Sequence, residues 1–204
     1  MKIYTLTLGA LGTNCYIVAN AENNAVIIDP ASDFQEIYGS IENKNLTPQK
    51  ILLTHGHFDH IMAAAELADE YKIPVYIHEN DVKLLSDTDL NLFDSFDSIE
   101  DFREISAAKV LYDGDEIVQD ELTFKVLHTA GHTGGSVCFI CENALFSGDT
   151  LFAGSVGRTD MVGGNYENLK KSLKKIDDLT DNYKIYPGHG GATTLENERK
   201  NNIY

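Results

Sequence analysis

At 204 residues, 43% hydrophobic and 24% charged, the chain has an ordinary globular composition and enough length for one domain with a sizeable core. Its 32 acidic against 16 basic side chains leave a net charge of −16. That charge repels phosphate backbones and anionic lipid headgroups, which argues against nucleic acid or a membrane as partner; apolar runs such as 26–28 and 51–53, and the five-residue run 137–141, are far too short to span a bilayer.

Taken in chain order, β-branched and aromatic content predicts strands over 2–7, 14–19 and 25–29. A helix over 33–43, a strand over 50–54, a helix over 60–71, a strand over 74–78 and a helical stretch over 79–85 follow. The acid-rich segments 86–104 and 112–121 read as solvated faces. Strands are then predicted over 122–128, 136–141, 144–147 and 184–186, with helices over 166–179 and 194–200. In the first of these helices Leu169, Leu173 and Ile176 recur at spacings of four and three, as an amphipathic helix requires. Strands and helices mix in both halves, and no linker, repeat or low-complexity stretch interrupts them, so a single layered α/β domain over 1–204 is expected.

Cys15, Cys138 and Cys141 make an odd count without framework spacing. Cys138 and Cys141 resemble a CxxC pair, but strand alternation sends their thiols to opposite faces, so they are read as reduced core residues. Residues 1–11 hold one lysine and no apolar stretch ending in a small-residue cleavage site. Free thiols without an export signal favour the cytoplasm.

The chemistry lies in the histidines, most of which sit in loops just after predicted strands. The segment His55-Gly56-His57-Phe58-Asp59-His60 packs three imidazoles and a carboxylate into six residues, a pattern expected by chance in on the order of one chain in a thousand. Two histidines one residue apart in an extended segment point the same way, so His55 and His57 can grip one ion. Asp59 and His60, beyond a turn, can reach a second. Gly56 lets the backbone approach closely. His132, in a glycine-flanked loop, and His189, in Tyr186-Pro187-Gly188-His189, repeat the pattern of strand, turn and histidine. Asp149 follows the apolar strand ending at Gly148; a buried acid there needs a cation, and its two oxygens can bridge two. Two shells result: His55, His57 and His132 around one ion, Asp59, His60 and His189 around another, with Asp149 between. Imidazole with carboxylate suits Zn²⁺, and also Fe or Mn. His78 and His128 read as structural, with His128 also placed to orient a ligand loop. Asp29 reads equally as a support for the histidine loop or as a cap. Arg158, one of only three arginines, can clamp a substrate carboxylate or pair internally with Asp160; Tyr166 can line the pocket or pack.

The set His55-x-His57-x-Asp59-His60, His132, Asp149 and His189 resembles the metallo-β-lactamase superfamily. The resemblance implies an αββα four-layer sandwich of two mixed β-sheets flanked by helices, with metals at one end of the sheets. Aspartate at 149, with Gly157-Arg158-Thr159-Asp160, Tyr186-Pro187-Gly188-His189-Gly190 and Thr193-Thr194-x-x-Asn197-Glu198, looks like the short bacterial glyoxalase II-like hydrolases. Those lack the C-terminal helical domain that helps larger glyoxalase II enzymes hold glutathione, and this sequence ends at Tyr204 without one. The implied activity is hydrolysis of a small-molecule thioester such as an S-2-hydroxyacyl thiol, with two divalent ions and with Asp59 orienting the attacking water. The alternative it implies is a persulfide dioxygenase, which shares the Gly-Arg-Thr-Asp stretch and uses one iron held by His55, His132 and Asp149. A β-lactamase and a non-catalytic metal-binding protein are the remaining readings; the sequence sets no oligomeric state.

Overall fold

The computed structural model describes residues 1–96 and 101–202, so 97–100 of the acidic segment and 203–204 lie outside the described residues. The first sheet contains β1 (Lys2–Leu8), β2 (Thr13–Ala19), β3 (Asn24–Ile28), β4 (Thr47–Leu52), β5 (Val75–His78) and β6 (Ala108–Leu111), hydrogen-bonded in that order. β1, β2 and β3 pair antiparallel, whereas β3 to β6 pair parallel. The parallel crossovers carry α1 (Phe34–Asn43), the short α2 (Phe58–Ile61) and α3 (Ala64–Tyr71). The second sheet contains β7 (Glu116–Gln119), β8 (Leu122–His128), β9 (Val137–Cys141), β10 (Ala144–Gly148), β13 (Lys184–Pro187) and β14 (Thr193–Thr194). Its spatial order is β14-β13-β10-β9-β8-β7, and only β10 and β13 pair in parallel. A small hairpin, β11 (Leu151–Phe152) with β12 (Ser155–Val156), leaves the end of β10. The helices α4 (Tyr166–Asp177) and α5 (Leu195–Asn201) belong to this half.

Period-two alternation sorts the strand side chains into three cores. Tyr16, Val18, Val26 and Ile28 face Phe124, Phe139 and Phe146 between the two sheets. Cys15, Ile17, Ala25 and Ile27 point the other way, against Ile37 and Ile41 of α1 and Leu67 of α3. Leu145 and Ile185 pack outward on Leu169, Leu173 and Ile176 of α4 and Leu195 of α5. This is the expected helix–sheet–sheet–helix order. The two neighbouring thiols obey the same rule: Cys138 lies in the outer core and Cys141 between the sheets, both reduced. No helix among the described residues is long and apolar enough to cross a membrane.

Three sequence expectations change. The helix predicted over 60–71 is broken at Met62–Ala63, because the Ala63 amide donates to the carbonyls of Pro30 (3.1 Å) and Ala31 (2.7 Å) instead of continuing the helix. The stretch Glu79–Leu85 is a 3₁₀ helix, started by the His78 side chain accepting from the Asn80 amide. The described residues of the acid-rich segments are largely exposed, but Leu92 and Phe96 also contribute to the wall of a cleft.

His78 and His128 close β5 and β8, one in each sheet, and their rings stack with centroids 4.0 Å apart. Burial, and then the neighbouring His128, pulls His78 down to about 4. A histidine whose folded value lies below its ordinary 6.5 binds fewer protons folded than unfolded. Its neutral form is therefore fully compatible with folding above pH 6.5, and stability falls as pH drops toward about 4. His78→Asn keeps an acceptor for the Asn80 amide and removes the titration. Urea midpoints across that window are expected to fall less steeply in the variant; a parallel decline would show that His78 contributes nothing.

Candidate metal centre

Strands β8, β10 and β13 run in one direction, and the loops leaving them open at the same end of the sandwich as the loop after β4. Two backbone hydrogen bonds join the sheets there: Val137 N–H to Thr54 O at 2.8 Å and Asn14 N–H to Gly188 O at 2.7 Å. All seven predicted ligands converge at this end. His55, His57 and His132 bring donor atoms within 4.8 Å of one another, and so do Asp59, His60 and His189. Asp149 lies between the two triads. Its Oδ2 is 3.5 Å from Nε2 of both His132 and His189, and its Oδ1 is 3.4 Å from Nε2 of His60.

Hydrogen bonds around the cluster fix which nitrogen of each ring faces inward. His132 Nδ1 donates to the Arg158 carbonyl (2.8 Å), and His189 Nδ1 donates to the Leu11 carbonyl (3.2 Å). His60 Nδ1 donates to Asp29 (3.0 Å), while His55 Nδ1 donates to the Thr54 hydroxyl (3.1 Å), which itself donates to Asp29 (2.6 Å). Each of these rings therefore turns its Nε2 toward the centre. His57 is turned over: its Nδ1 lies 2.9 Å from Nε2 of His132. The buried atoms without a hydrogen-bond partner among the described residues are Nε2 of His55, His57 and His60 and Oδ1 of Asp149. Such orphans cost about 1–3 kcal/mol each, and all four belong to this cluster. A set of nitrogen and carboxylate donors stripped of protein partners fits divalent metal ions.

The charges agree. Burial, reinforced by the neighbouring imidazoles, holds His55 well below the ordinary histidine value and His57 at about 3. Burial also opposes charge on His60 and His189, but Asp59 and Asp149 outweigh it, raising His60 well above its ordinary value and His189 to about 9. Asp59 falls to about 2 and Asp149 well below the carboxylate range, despite burial, through His60 and His189. Without a cation, protons on these imidazoles balance the two carboxylates.

Glycine makes the crowding tolerable. A Cβ at Gly56 would come 2.5 Å from the Cβ of Leu84, and one at Gly188 only 2.1 Å from Asp149 Oδ1.

Asp29 has its sequence alternatives resolved: its carboxylate also accepts from the Thr54 amide (2.7 Å), so it anchors the His55 loop and His60 together. His128 donates Nε2–H to the Gly134 carbonyl (3.0 Å), bracing the His132 loop. Arg158 lines the cleft above the cluster, but its guanidinium makes a two-pronged pair with Asp160, both bonds 2.8 Å. Tyr166 is exposed and lies outside that cleft, in a separate depression with Lys170 and Asn202.

Sequence reasoning missed Thr13, whose hydroxyl donates to Asp59 Oδ2 (2.6 Å), and Asp81. Buried Asp81 accepts from the Gly56 amide (3.0 Å), the Gly135 amide (2.7 Å) and the Thr133 hydroxyl (2.7 Å), tying the His55 and His132 loops together. Burial raises its pKa, with the three donors pulling the other way. An amide cannot accept three such bonds without turning its NH₂ onto a donor. Asp81→Asn is therefore expected to destabilise the fold by about 2–3 kcal/mol and to weaken metal binding about 10–100-fold. A metal titration beside a denaturation curve checks both, and unchanged affinity would show that the two loops hold their geometry without Asp81.

The chain matches the family model of the metallo-beta-lactamase superfamily over residues 8–189. It is 38% identical to the protein ML0493 of Mycobacterium leprae, covering 100% of this chain and 98% of that one. It is 32% identical to the hydroxyacylglutathione hydrolase GloC of Haemophilus influenzae, covering 100% and 98%. Among solved structures it is similar to the BLEG-1 B3 metallo-beta-lactamase (TM-score 0.92, 37% identity, 98% of both chains) and to TTHA1623 in a di-iron-bound form (0.88, 36%, 98% of both). ETHE1 from Myxococcus xanthus follows at 0.81 and 27% identity, over 99% of this chain and 83% of that one. Since the family match runs through every residue of the cluster, from the His55 loop to His189, the chain belongs to the metallo-beta-lactamase superfamily.

Proposed function

We propose that this metallo-hydrolase is a glyoxalase II-like thioesterase, a single domain acting in the cytoplasm on a small-molecule S-2-hydroxyacyl thiol, with two divalent ions, zinc foremost and iron or manganese as alternatives. The observation that carries the reading is Asp149, seated within 3.5 Å of imidazole nitrogens from both triads. A carboxylate so placed suits a pair of cations better than one. His55, His57 and His132 would hold the first ion and Asp59, His60 and His189 the second, with Asp149 shared. When bound, such ions ionise water near neutral pH and polarise a carbonyl as its oxygen takes on negative charge.

The chain's own residues supply the rest. Asp59, held by the Thr13 hydroxyl, orients the attacking water and can take its proton. Phe58, Leu92 and Phe152 line the cleft of about 470 Å³ over the cluster and keep bulk water from the reacting carbonyl. The leaving thiolate has a pKa of about 8.5, so a strong general acid is not needed. Likeness to GloC, whose name is that of a hydroxyacylglutathione hydrolase, supports the thioester reading.

Likeness to ETHE1 and the Gly157–Asp160 stretch favour a second reading, a persulfide dioxygenase using one iron on His55, His132 and Asp149. Metal analysis of the purified protein beside a thioester screen decides. Two metal equivalents with thioester turnover support the proposal. One iron per chain, with oxygen uptake on a persulfide and no thioester hydrolysis, would replace it.

A further inference from the structure

Resting on the thioesterase reading, we infer that the cleft selects thioesters whose acyl and thiol portions carry no charge, and disfavours anionic thiol carriers such as glutathione. The walls over the cluster are apolar: Leu11, Phe58, Leu92, Phe96, Phe152 and Met161 surround it. Leu11 and Phe96 remain 42% and 46% exposed, large apolar side chains left bare at the mouth of a site, where an apolar ligand would cover them.

The cation inventory points the same way. No lysine lines the cleft, and Arg158 is its one arginine among the described residues. Asp160 engages one donor on Nε and one on Nη2 of Arg158, both at 2.8 Å, so its charge is already paired with a carboxylate and three of its five N–H donors remain. A glutathione thioester brings two carboxylates, each needing a cation or several donors to offset its lost hydration. Outside the metal cluster, this cleft offers one guanidinium, already paired, in a protein of net charge −16.

A matched substrate pair tests this with the metal-loaded enzyme. N-acetyl-S-lactoylglutathione and its diethyl ester share the thioester and a capped, uncharged amine and differ only in their carboxylates; S-lactoyl-N-acetylcysteamine is a third, compact neutral probe. The diester and the cysteamine thioester are expected to give at least 10-fold higher kcat/KM than the diacid, mostly through KM. Asp160→Asn, at an exposed position, removes the negative charge that is paired with Arg158. It is expected to raise kcat/KM for the diacid about 3–10-fold while leaving the diester within twofold. Equal or better use of the diacid by the wild type overturns the inference, and so does an Asp160→Asn enzyme whose diacid-to-diester ratio is unchanged. Failure to hydrolyse all three probes at full metal occupancy overturns the thioesterase reading itself, and this inference with it.

Discussion

Asp149→Ala is expected to lose at least one metal equivalent and nearly all turnover, a fall of 1,000-fold or more in kcat/KM. The carboxylate lies within 3.5 Å of imidazole nitrogens from both triads. It sits at the end of β10, where the preceding Ala144–Gly148 are all buried. His60 and His189 hold it ionised far below the carboxylate range, burial notwithstanding. Alanine removes two donor oxygens and leaves the opposing imidazoles without their counter-charge. Asp149→Asn separates charge from shape: it keeps the volume, and it too should fail, because a neutral amide bridges two cations poorly. Metal content by elemental analysis and kcat/KM on a neutral thioester are the measurements. Wild-type stoichiometry with wild-type turnover in either variant would end the bridging assignment.

Gly188→Ala is expected to cost about 100-fold in activity from the addition of a single methyl group. Its Cβ would stand 2.1 Å from Asp149 Oδ1, 2.7 Å from His60 Cε1 and 3.2 Å from the carbonyl carbon of Gly148. The backbone cannot retreat, since the Gly188 amide donates to Gly148 O (2.8 Å) and its carbonyl accepts from the Asn14 amide (2.7 Å). The displacement must fall on Asp149 and His60, and a shift of about 1 Å in such a site is worth two orders of magnitude. The variant should still fold, with the loss concentrated in metal affinity and kcat. Activity within threefold of wild type would mean the loop yields more easily than its two backbone bonds suggest.

The local part of the centre was legible because it is written in one stretch of chain: His55, His57, Asp59 and His60 alternate and then turn. His132, Asp149 and His189 were legible because each follows an apolar strand and a glycine. Element order pointed only to a layered α/β domain; the four layers were implied by the family resemblance, and the structure realises them through strands such as β2 and β9, whose two faces enter different cores. What the sequence concealed depends on distant partners. Asp81 is one acid among several after β5 until Thr133 and Gly135, more than fifty residues on, are folded against it. Thr13 gains meaning only when β2 meets Asp59 across the sheet end. The helix break at Ala63 is set by the carbonyls of Pro30 and Ala31, and no propensity scale carries them. Strands β11, β12 and β14 run only two residues, too short for a periodic signal.

The cluster draws four ligands from the first sheet's loop and three from loops of the second, across a seam held by the Asn14 and Val137 amide bonds. A cation seated there rivets the halves of the chain together, and its binding free energy adds to the closed form. Those two amides then report occupancy by their solvent exchange: slow when ions are bound, faster when a chelator lets the seam breathe, while amides deep in β9 stay protected. Catalysis and mechanical cohesion thus draw on one set of bonds, and metal starvation would loosen the molecule first at its reactive end.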